Sequence, residues 1–156
     1  MIKLKSLLIE NITDTPEFKR WFGNSKVVDR NGNPQIVYHG TTSYFNMFDN
    51  EKTGGRGYYF FKQKDAADLY AKGDRANTML VYLSIKNPIK ELDFNKIGIE
   101  NGFSKHEAIN FIKNKGYDGI IGQRYIVAFY PEQIKSAIGN NGDFNSNNPD
   151  ITKENR

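Results

Sequence analysis

Short runs of apolar and aromatic residues, each ended by glycine, proline or asparagine, constrain the fold of this chain more than any other feature. Runs of about four to eight such residues are typical of β-strands. Helical segments occur one at a time between these runs, without the regular strand–helix alternation of a parallel sheet. The sequence therefore predicts an α+β fold with mostly antiparallel pairing.

The bounds of the elements follow from periodicity and from capping and turn residues. Helices are predicted over residues 16–22, 64–72 and 104–115, a loop or short helix over residues 92–102, and a short amphipathic helix over residues 3–10. Strands are predicted over residues 26–29, 35–38, 58–61, 79–85, 117–122, 125–129 and 134–138. The Asn31-Gly32 turn predicts a hairpin whose second strand ends at His39.

A chain of 156 residues is long enough to bury the core of one domain. We expect a leader or short helix over residues 1–13, the domain over residues 14–138, and an Asn/Gly-rich tail over residues 139–156. The chain has no cysteine, which excludes disulfides, thiolate chemistry and zinc fingers. No apolar run is long enough to span a membrane and the first residues make a poor signal peptide, so a cytoplasmic protein is expected.

Charge and motifs narrow the possible functions. The net charge of +4 suits an anionic ligand, either a dinucleotide or a nucleic acid. The chain has no Rossmann G-x-G-x-x-G, no phosphate-binding P-loop, no H-E-x-x-H metal spacing and no G-x-S-x-G nucleophile. These absences argue against a Rossmann dinucleotide fold, a P-loop nucleotidase, a zinc protease and a serine hydrolase.

The segment Tyr38-His39-Gly40-Thr41 is the first candidate site. A glycine lets a ligand approach the backbone, and the imidazole beside it can form a hydrogen bond. A histidine in such a place is structural in most proteins, so the segment alone leaves both interpretations open. The same holds for Tyr59 and Tyr70, which are core aromatics or parts of a binding surface. We interpret Tyr58 and Phe61 as core aromatics, because a strand alternates its faces, and Trp21 as a core side chain.

Several short sequence motifs occur in a fixed order along the chain. They are Phe-Lys-x-Trp-Phe-Gly, Tyr-His-Gly-Thr, Tyr-Leu-x-Ile-x-Asn-Pro, Gly-Tyr-Asp-Gly-Ile and Gln-Ile-Lys-Ser-Ala, at residues 18–23, 38–41, 82–88, 116–120 and 133–137. In this order they resemble the ADP-ribosyltransferase superfamily, in its H-Y-E branch of diphtheria-type toxins and poly-ADP-ribose polymerases. The similarity is greatest to the small domains of phage and mobile-element polyvalent proteins, and it covers about residues 14–151.

The resemblance implies a fold of two small, mostly antiparallel sheets around an NAD cleft, with a few flanking helices. It implies a mono-ADP-ribosyltransferase that takes NAD as substrate, uses no metal, releases nicotinamide and modifies a protein or nucleic acid. Such a protein would be a toxin-like effector, a monomer in the cytoplasm of a bacterial host.

The resemblance also assigns residues. His39 would contact the adenosine ribose, and the backbone of Gly40, beside Thr41, would hold the nicotinamide amide. Tyr59 and Tyr70 are eleven residues apart, the spacing implied for two rings that sandwich nicotinamide. Ala67 stands where many relatives carry a serine that bonds the carboxamide.

The third motif of the H-Y-E set, which carries the glutamate, departs from the family pattern here. Tyr125 stands at the position of that glutamate. A phenol can bond a ribose hydroxyl but carries no formal negative charge. This H-Y-Y set is similar to that of some mono-ADP-ribosyltransferases and argues against polymer synthesis more than against transfer. Two alternatives remain: a weak or inactive NAD- or ADP-ribose-binding module of the same fold, and a basic nucleic-acid-binding protein.

Overall fold

The structure of the protein, a computed structural model, describes residues 12–42, 45, 47–49, 53, 55–138 and 147–152. The helices are α1 (Pro16–Phe22), α2 (Lys64–Asp68), α3 (Glu91–Asn101) and α4 (Lys105–Asn114), with a 3₁₀ helix at Pro131–Gln133. The strands are β1 (Val37–Thr41), β2 (Tyr58–Phe61), β3 (Asn77–Leu83), β4 (Pro88–Lys90), β5 (Gly119–Ile121), β6 (Tyr125–Ala128) and β7 (Ile134–Ser136).

The strands form one mixed sheet in the order β4-β5-β6-β2-β1-β3-β7. Strands β4 and β5 are parallel and the other neighbours are antiparallel. The predicted α+β class is confirmed. The expected two-sheet arrangement is not confirmed, because β2 pairs with β1 as well as with β6 and so joins the two halves.

The two faces of the sheet are covered differently. One face packs a continuous apolar cluster that includes Val37, Phe60, Leu83 and, from outside the sheet, Phe48 and Ile151. The other face carries helices: α1 lies against β3, and α3 and α4 lie against β5 and β6. Helix α2 covers the centre of this second face, above β1.

Helix α1 begins and ends as its sequence predicts. The Thr15 hydroxyl accepts a hydrogen bond from the Phe18 amide at 3.2 Å, and Pro16 occupies the first helical position. Gly23 ends the helix with a φ of 53°, which favours glycine. Trp21 is buried and its indole N–H donates to the Glu132 carbonyl at 2.9 Å, so the predicted core role of this side chain is confirmed.

The predicted hairpin is reduced to its turn. Val28 and Pro34 form an isolated antiparallel bridge, the Asp29 amide donates to the Asn33 carbonyl at 2.8 Å, and the Asp29 carboxylate accepts the Asn31 and Asn33 amides at 2.8 and 3.0 Å. The prediction that the second strand of this hairpin ends at His39 is wrong. Strand β1 instead pairs with β3 along its whole length. His39 therefore lies in the middle of a strand and not at its end.

Three other element predictions need correction. Helix α2 ends at Asp68 and not at residue 72, because the Tyr70 and Ala71 amides turn back to carbonyls three residues earlier. Residues 91–101 form a full helix, and residues 88–90 form a strand that local patterning did not reveal. The strands expected over residues 79–85, 117–122, 125–129 and 134–138 are present with shifted ends, and the capping box of Ser104 begins α4 as expected.

Three of the recurring motifs meet at a single hydrogen-bonded joint around Asp118 and the buried Gln133. The Asp118 carboxylate accepts the Lys86 and Asn87 amides at 2.9 and 2.8 Å. The Gln133 side chain accepts from the Phe129 amide and donates to the Asp118 carbonyl, at 3.0 and 2.8 Å. These three motifs therefore hold the end of β6 against the β3–β4 and α4–β5 connections.

The ends of the chain are described only in part. The helix expected at residues 3–10, and residues 139–146 and 153–156 of the predicted tail, lie outside the described residues. Within the tail, Ile151 is buried, and the buried Lys135 ammonium donates to the Asn148 and Asp150 carbonyls at 2.6 and 3.1 Å. This lysine holds the segment at residues 147–152 against β7.

Candidate active site

Strands β1 and β2 share fewer residue pairs than any other two adjacent strands of the sheet. These strands share the single residue pair Tyr38–Phe61, whereas β1 and β3 share five pairs and β2 and β6 share four. Beyond Tyr38 the edge of β1 therefore diverges from β2. This divergence opens the backbone of Gly40 on one side and that of Tyr59 on the other.

The His39 imidazole bridges the diverging strands. Its Nδ1 lies 2.7 Å from the Tyr59 carbonyl oxygen. A carbonyl oxygen can only accept, so Nδ1 carries the proton and donates. Burial lowers the pKa of His39 to about 4, which keeps the ring neutral at pH 7. The other ring nitrogen, Nε2, is then a hydrogen-bond acceptor.

The register divides the predicted site residues between the two faces of the sheet. Because Tyr38 pairs with Phe61, His39 lies opposite Phe60 and Gly40 lies opposite Tyr59. The His39 and Phe60 rings accordingly lie 5.5 Å apart on the apolar-cluster face. Gly40, Tyr59 and Tyr125 share the helical face, so a ligand that touches all of these groups must cross the gap between β1 and β2.

Gly40 is the point where helix α2 approaches β1. A Cβ at this position would overlap the carbonyl oxygen of Ala67 and come within 3.1 Å of the Ala71 amide nitrogen. Ala67 itself is fully buried. Glycine at position 40 is therefore required by packing, whatever its backbone binds, and the Ala67 side chain contacts protein on all sides.

Tyr59 is the best-held aromatic of the site. Its ring lies 5.5 Å from the ring of Tyr125, at an angle of 30°. The Lys105 ammonium, from the first turn of α4, lies over the ring at 4.3 Å from the centroid. Partial burial lowers the pKa of Lys105, and the nearby charge of Arg56 lowers it further. A cation thus already occupies the kind of position over Tyr59 that was predicted for the nicotinamide ring.

The Tyr59 hydroxyl is buried and has no hydrogen-bond partner among the described residues. The same is true of the hydroxyl of Tyr58, whose side chain lies on the opposite face in the apolar cluster. The sequence-based interpretation of Tyr58 as a core aromatic is confirmed.

Tyr70 does not meet Tyr59. Its ring stacks on Phe61 at 5.4 Å and 15°, and 60% of the residue is exposed. Phe61 was interpreted as a core aromatic, but it is only half-buried and lies on the same face as Tyr59. The predicted two-ring clamp is therefore open in this structure, with Phe61 beneath Tyr70.

Tyr125 lies at the start of β6, opposite Phe61. Burial raises the pKa of Tyr125 to about 12, and a hydrogen bond to the Glu91 carboxylate and the charge of Glu91 also contribute. Glu91 was not predicted as a site residue from the sequence. It comes close to Tyr125 because β4 pairs in parallel with β5, which no local pattern predicts.

A cavity of about 350 Å³ adjoins the divergence and is lined by His39, Thr41 and Tyr59 together with Phe45 and Phe48. A larger cavity of about 780 Å³ lies beside α1 and contains Tyr38 but not His39, Gly40 or Tyr59. We place the candidate site at the smaller cavity because His39, Thr41 and Tyr59 line it, although Gly40, Ala67, Tyr70 and Tyr125 are not among its lining residues.

Two further observations concern metal binding and membrane spanning. Among the described residues, no group of three or more histidine, aspartate and glutamate side chains is arranged to hold a metal ion. No helix in the described part of the chain is long and apolar enough to cross a membrane.

Comparison with known families agrees with the geometry. The family model described as ADP-ribosyltransferase in polyvalent proteins matches residues 29–144. The chain therefore belongs to this family and carries an ADP-ribosyltransferase domain. No curated protein and no solved structure matches the chain significantly.

Proposed function

We propose that this protein is a mono-ADP-ribosyltransferase that cleaves NAD, releases nicotinamide and transfers ADP-ribose to a protein or nucleic acid. The observation that carries the proposal is the divergence of β1 from β2 after the single pair Tyr38–Phe61, bridged by His39 and Tyr59. The divergence exposes backbone groups beside Gly40 at the edge of an aromatic surface. That combination suits a flat carboxamide ring.

NAD would lie across the gap between the strands. The unprotonated Nε2 of His39 would accept a hydrogen bond from the adenosine ribose, with Thr41 beside it. Nicotinamide would lie next to Gly40 and α2, where Phe61 and Tyr70 present a stacked aromatic pair. Tyr59 and Tyr125 would contact the nicotinamide ribose.

The positive groups near Tyr59 suit the rest of the ligand. Lys105 and Arg56 lie close enough for the charge of Arg56 to lower the pKa of Lys105. Two neighbouring cations repel each other, and a diphosphate between them would relieve that repulsion. We expect the Lys105 ammonium to leave the Tyr59 ring when NAD binds.

Catalysis would be mostly geometric and electrostatic. Binding of the ribose and clamping of the nicotinamide ring would hold NAD in a bent form that loosens the glycosidic bond. As this bond breaks, positive charge develops on the ribose, and nearby negative charge lowers the barrier. The chemistry needs no metal, and the chain would act as a monomer in the cytoplasm.

The test is incubation of the purified chain with NAD and a bacterial lysate, followed by mass spectrometry. Nicotinamide release together with ADP-ribose adducts on a macromolecule supports transfer. Intact NAD and an absence of adducts would refute it.

A second candidate is a binding module of the same fold that holds NAD or ADP-ribose without turnover. The occupied face of Tyr59 and the absence of a family glutamate at position 125 favour it. Calorimetry separates the two proposals, because the module would bind NAD and return it intact after long incubation.

A further inference from the structure

The buried Gly122 marks the place where a carboxylate from another element reaches β6. Lys90 of β4 pairs with Ile121 of β5, so the next residues along, Glu91 and Gly122, are neighbours. A Cβ on Gly122 would overlap Oε1 of Glu91 and lie 3.1 Å from the Tyr125 carbonyl oxygen. A glycine at position 122 therefore makes room for the Glu91 side chain.

The same turn brings Tyr125 to this carboxylate. The Gly122 amide donates to the Tyr125 carbonyl at 2.9 Å and closes the connection between β5 and β6. Glu91 is also close enough to the Tyr125 side chain for its carboxylate to contribute to the raised pKa of the phenol. A phenol that keeps its proton can donate it to a carboxylate, while its oxygen lone pairs remain available to accept another hydrogen bond.

The other neighbours of Tyr125 place its ring beside the candidate site. The Tyr125 ring lies 5.5 Å from the ring of Tyr59, which lines the cavity, and Tyr125 pairs across the sheet with Phe61. Glu91 is only partly buried and lies in the first turn of α3. Tyr125 thus has the Glu91 carboxylate as one neighbour and a residue of the candidate site as another.

We propose that Glu91 is a positioning residue that supplies, through the Tyr125 hydroxyl, the negative charge that β6 lacks. This inference rests on the proposed function, and it names the group that replaces a carboxylate at position 125. The Tyr125 oxygen accepts a hydrogen bond from the 2′-hydroxyl of the nicotinamide ribose while its own proton is held by Glu91. The carboxylate polarises this chain of hydrogen bonds and makes the phenol oxygen a stronger acceptor.

The reaction at the ribose then balances as follows. The bond between C1′ and the nicotinamide nitrogen breaks, and its electron pair leaves with nicotinamide, which becomes neutral. C1′ and the ring oxygen share the positive charge until the acceptor nucleophile bonds to C1′ and releases its proton to solvent. Glu91 and Tyr125 stabilise the charged stage and exchange no atom with the substrate.

A purely structural role for Glu91 makes a different prediction. A carboxylate in the first turn stabilises a helix through the helix dipole, and Asp93 of the same turn of α3 would do this equally well. Asp93 is exposed and lies outside the site, so Asp93→Asn is the matched control for Glu91→Gln.

The experiment measures kcat and KM for nicotinamide release, and thermal stability, for five variants of the full chain. They are Glu91→Gln, Tyr125→Phe, their double variant, Glu91→Gln combined with Tyr125→Glu, and Asp93→Asn. We expect Glu91→Gln to lower kcat about 10- to 100-fold with KM within about twofold. Tyr125→Phe, which leaves Glu91 in place, should match it, and the double variant should be no worse than either, because the two groups act as a unit.

The combination with Tyr125→Glu decides between the two roles. In this variant the carboxylate is on β6 instead of α3, and we expect most of the kcat lost in Glu91→Gln to be recovered. If Glu91 only stabilised its helix, a carboxylate on β6 would not restore kcat. Wild-type kcat in Glu91→Gln, additive losses in the double variant, or an equal loss in Asp93→Asn would overturn the inference and leave the proposed function standing. A wild-type chain that releases no nicotinamide would overturn both.

Discussion

The two tyrosines predicted to clamp one ring have very different surroundings. Tyr59 lies inside a paired strand, contacts the Tyr125 ring and the Lys105 ammonium, and has a buried hydroxyl. Tyr70 lies in the turn after α2, is 60% exposed and contacts the Phe61 ring. We call His39, Tyr59 and Tyr125 the strand wall of the site, and Ala67 and Tyr70 the helix wall. The register of the sheet fixes the strand wall, whereas the position of Tyr70 depends on where the five-residue helix α2 ends.

This difference separates preorganised groups from groups that respond to the ligand. The strand wall holds His39, Tyr59 and Tyr125 in place before any ligand arrives, so its residues should govern kcat. The helix wall is anchored by the buried Ala67 but presents the exposed Tyr70, whose loss should mainly affect NAD affinity. The predictions that follow perturb one wall or the contact between the two.

The largest effect is expected from Tyr59→Ala. Removing this ring leaves Tyr125 and Lys105 without their common neighbour, and nicotinamide release should fall by about 100-fold or more. Tyr82→Phe is the control, because it removes only a hydroxyl from a buried tyrosine that packs against α1, away from the smaller cavity. Steady-state kinetics checks both variants, and equal activity in Tyr59→Ala and Tyr82→Phe would contradict the proposed role of Tyr59.

Gly40→Ala should break the contact between the two walls. The new methyl group would overlap the Ala67 carbonyl and displace α2, with a loss of about 1–3 kcal/mol in the free energy of unfolding and loss of NAD binding. Gly98→Ala is the matched control, since Gly98 lies within α3 with open space around it, and it should stabilise the chain slightly. Urea denaturation measures both, and an unchanged stability in Gly40→Ala would refute the packing argument.

The pKa of His39, lowered to about 4, predicts an acid-sensitive strand wall. Between about pH 6.5 and 4 the unfolded chain binds a proton at this residue that the native chain does not, so the free energy of unfolding falls as the pH falls. We expect a loss on the order of 2 kcal/mol across this window.

Denaturation at several pH values tests this assignment. In His39→Gln the decline should be shallower than in the wild type, because the residue that takes up the proton on unfolding is gone. Identical slopes in the wild type and His39→Gln would show that other groups cause the acid sensitivity.

The smallest effect is expected on the helix wall. Tyr70→Ala removes one exposed aromatic face and should raise the dissociation constant for NAD about fivefold, with stability unchanged, because a cation–π contact contributes roughly 1 kcal/mol. Leu92→Ala controls for loss of an exposed apolar side chain elsewhere, since Leu92 is 82% exposed. Calorimetry checks the affinities, and a loss of kcat in Tyr70→Ala equal to that in Tyr59→Ala would contradict the division into two walls.

The sequence predicts the strand wall better than the rest of the site, for a physical reason. Strand residues alternate faces, so once the run Tyr58–Phe61 is taken as a strand, the position of Tyr59 follows from the alternation. The position of His39 within β1 was missed because pairing of β1 with the distant β3 outweighs the local Asn-Gly turn.

Two other features depend on contacts between elements and were not predictable. Helix α2 ends at Asp68, whose carboxylate accepts a hydrogen bond from the Thr78 hydroxyl of β3. Glu91 approaches Tyr125 only because β4 and β5 pair in parallel across about thirty residues of sequence. Neither contact leaves a local pattern in the chain.

The most direct test of the account is to follow backbone amide chemical shifts as NAD is added to the full chain. The account predicts the largest changes at Gly40 and over residues 57–61, small changes around α1, and free nicotinamide appearing in the same sample. Unchanged spectra, or shifts confined to the larger cavity beside α1, would contradict the placement of the NAD site between β1 and β2.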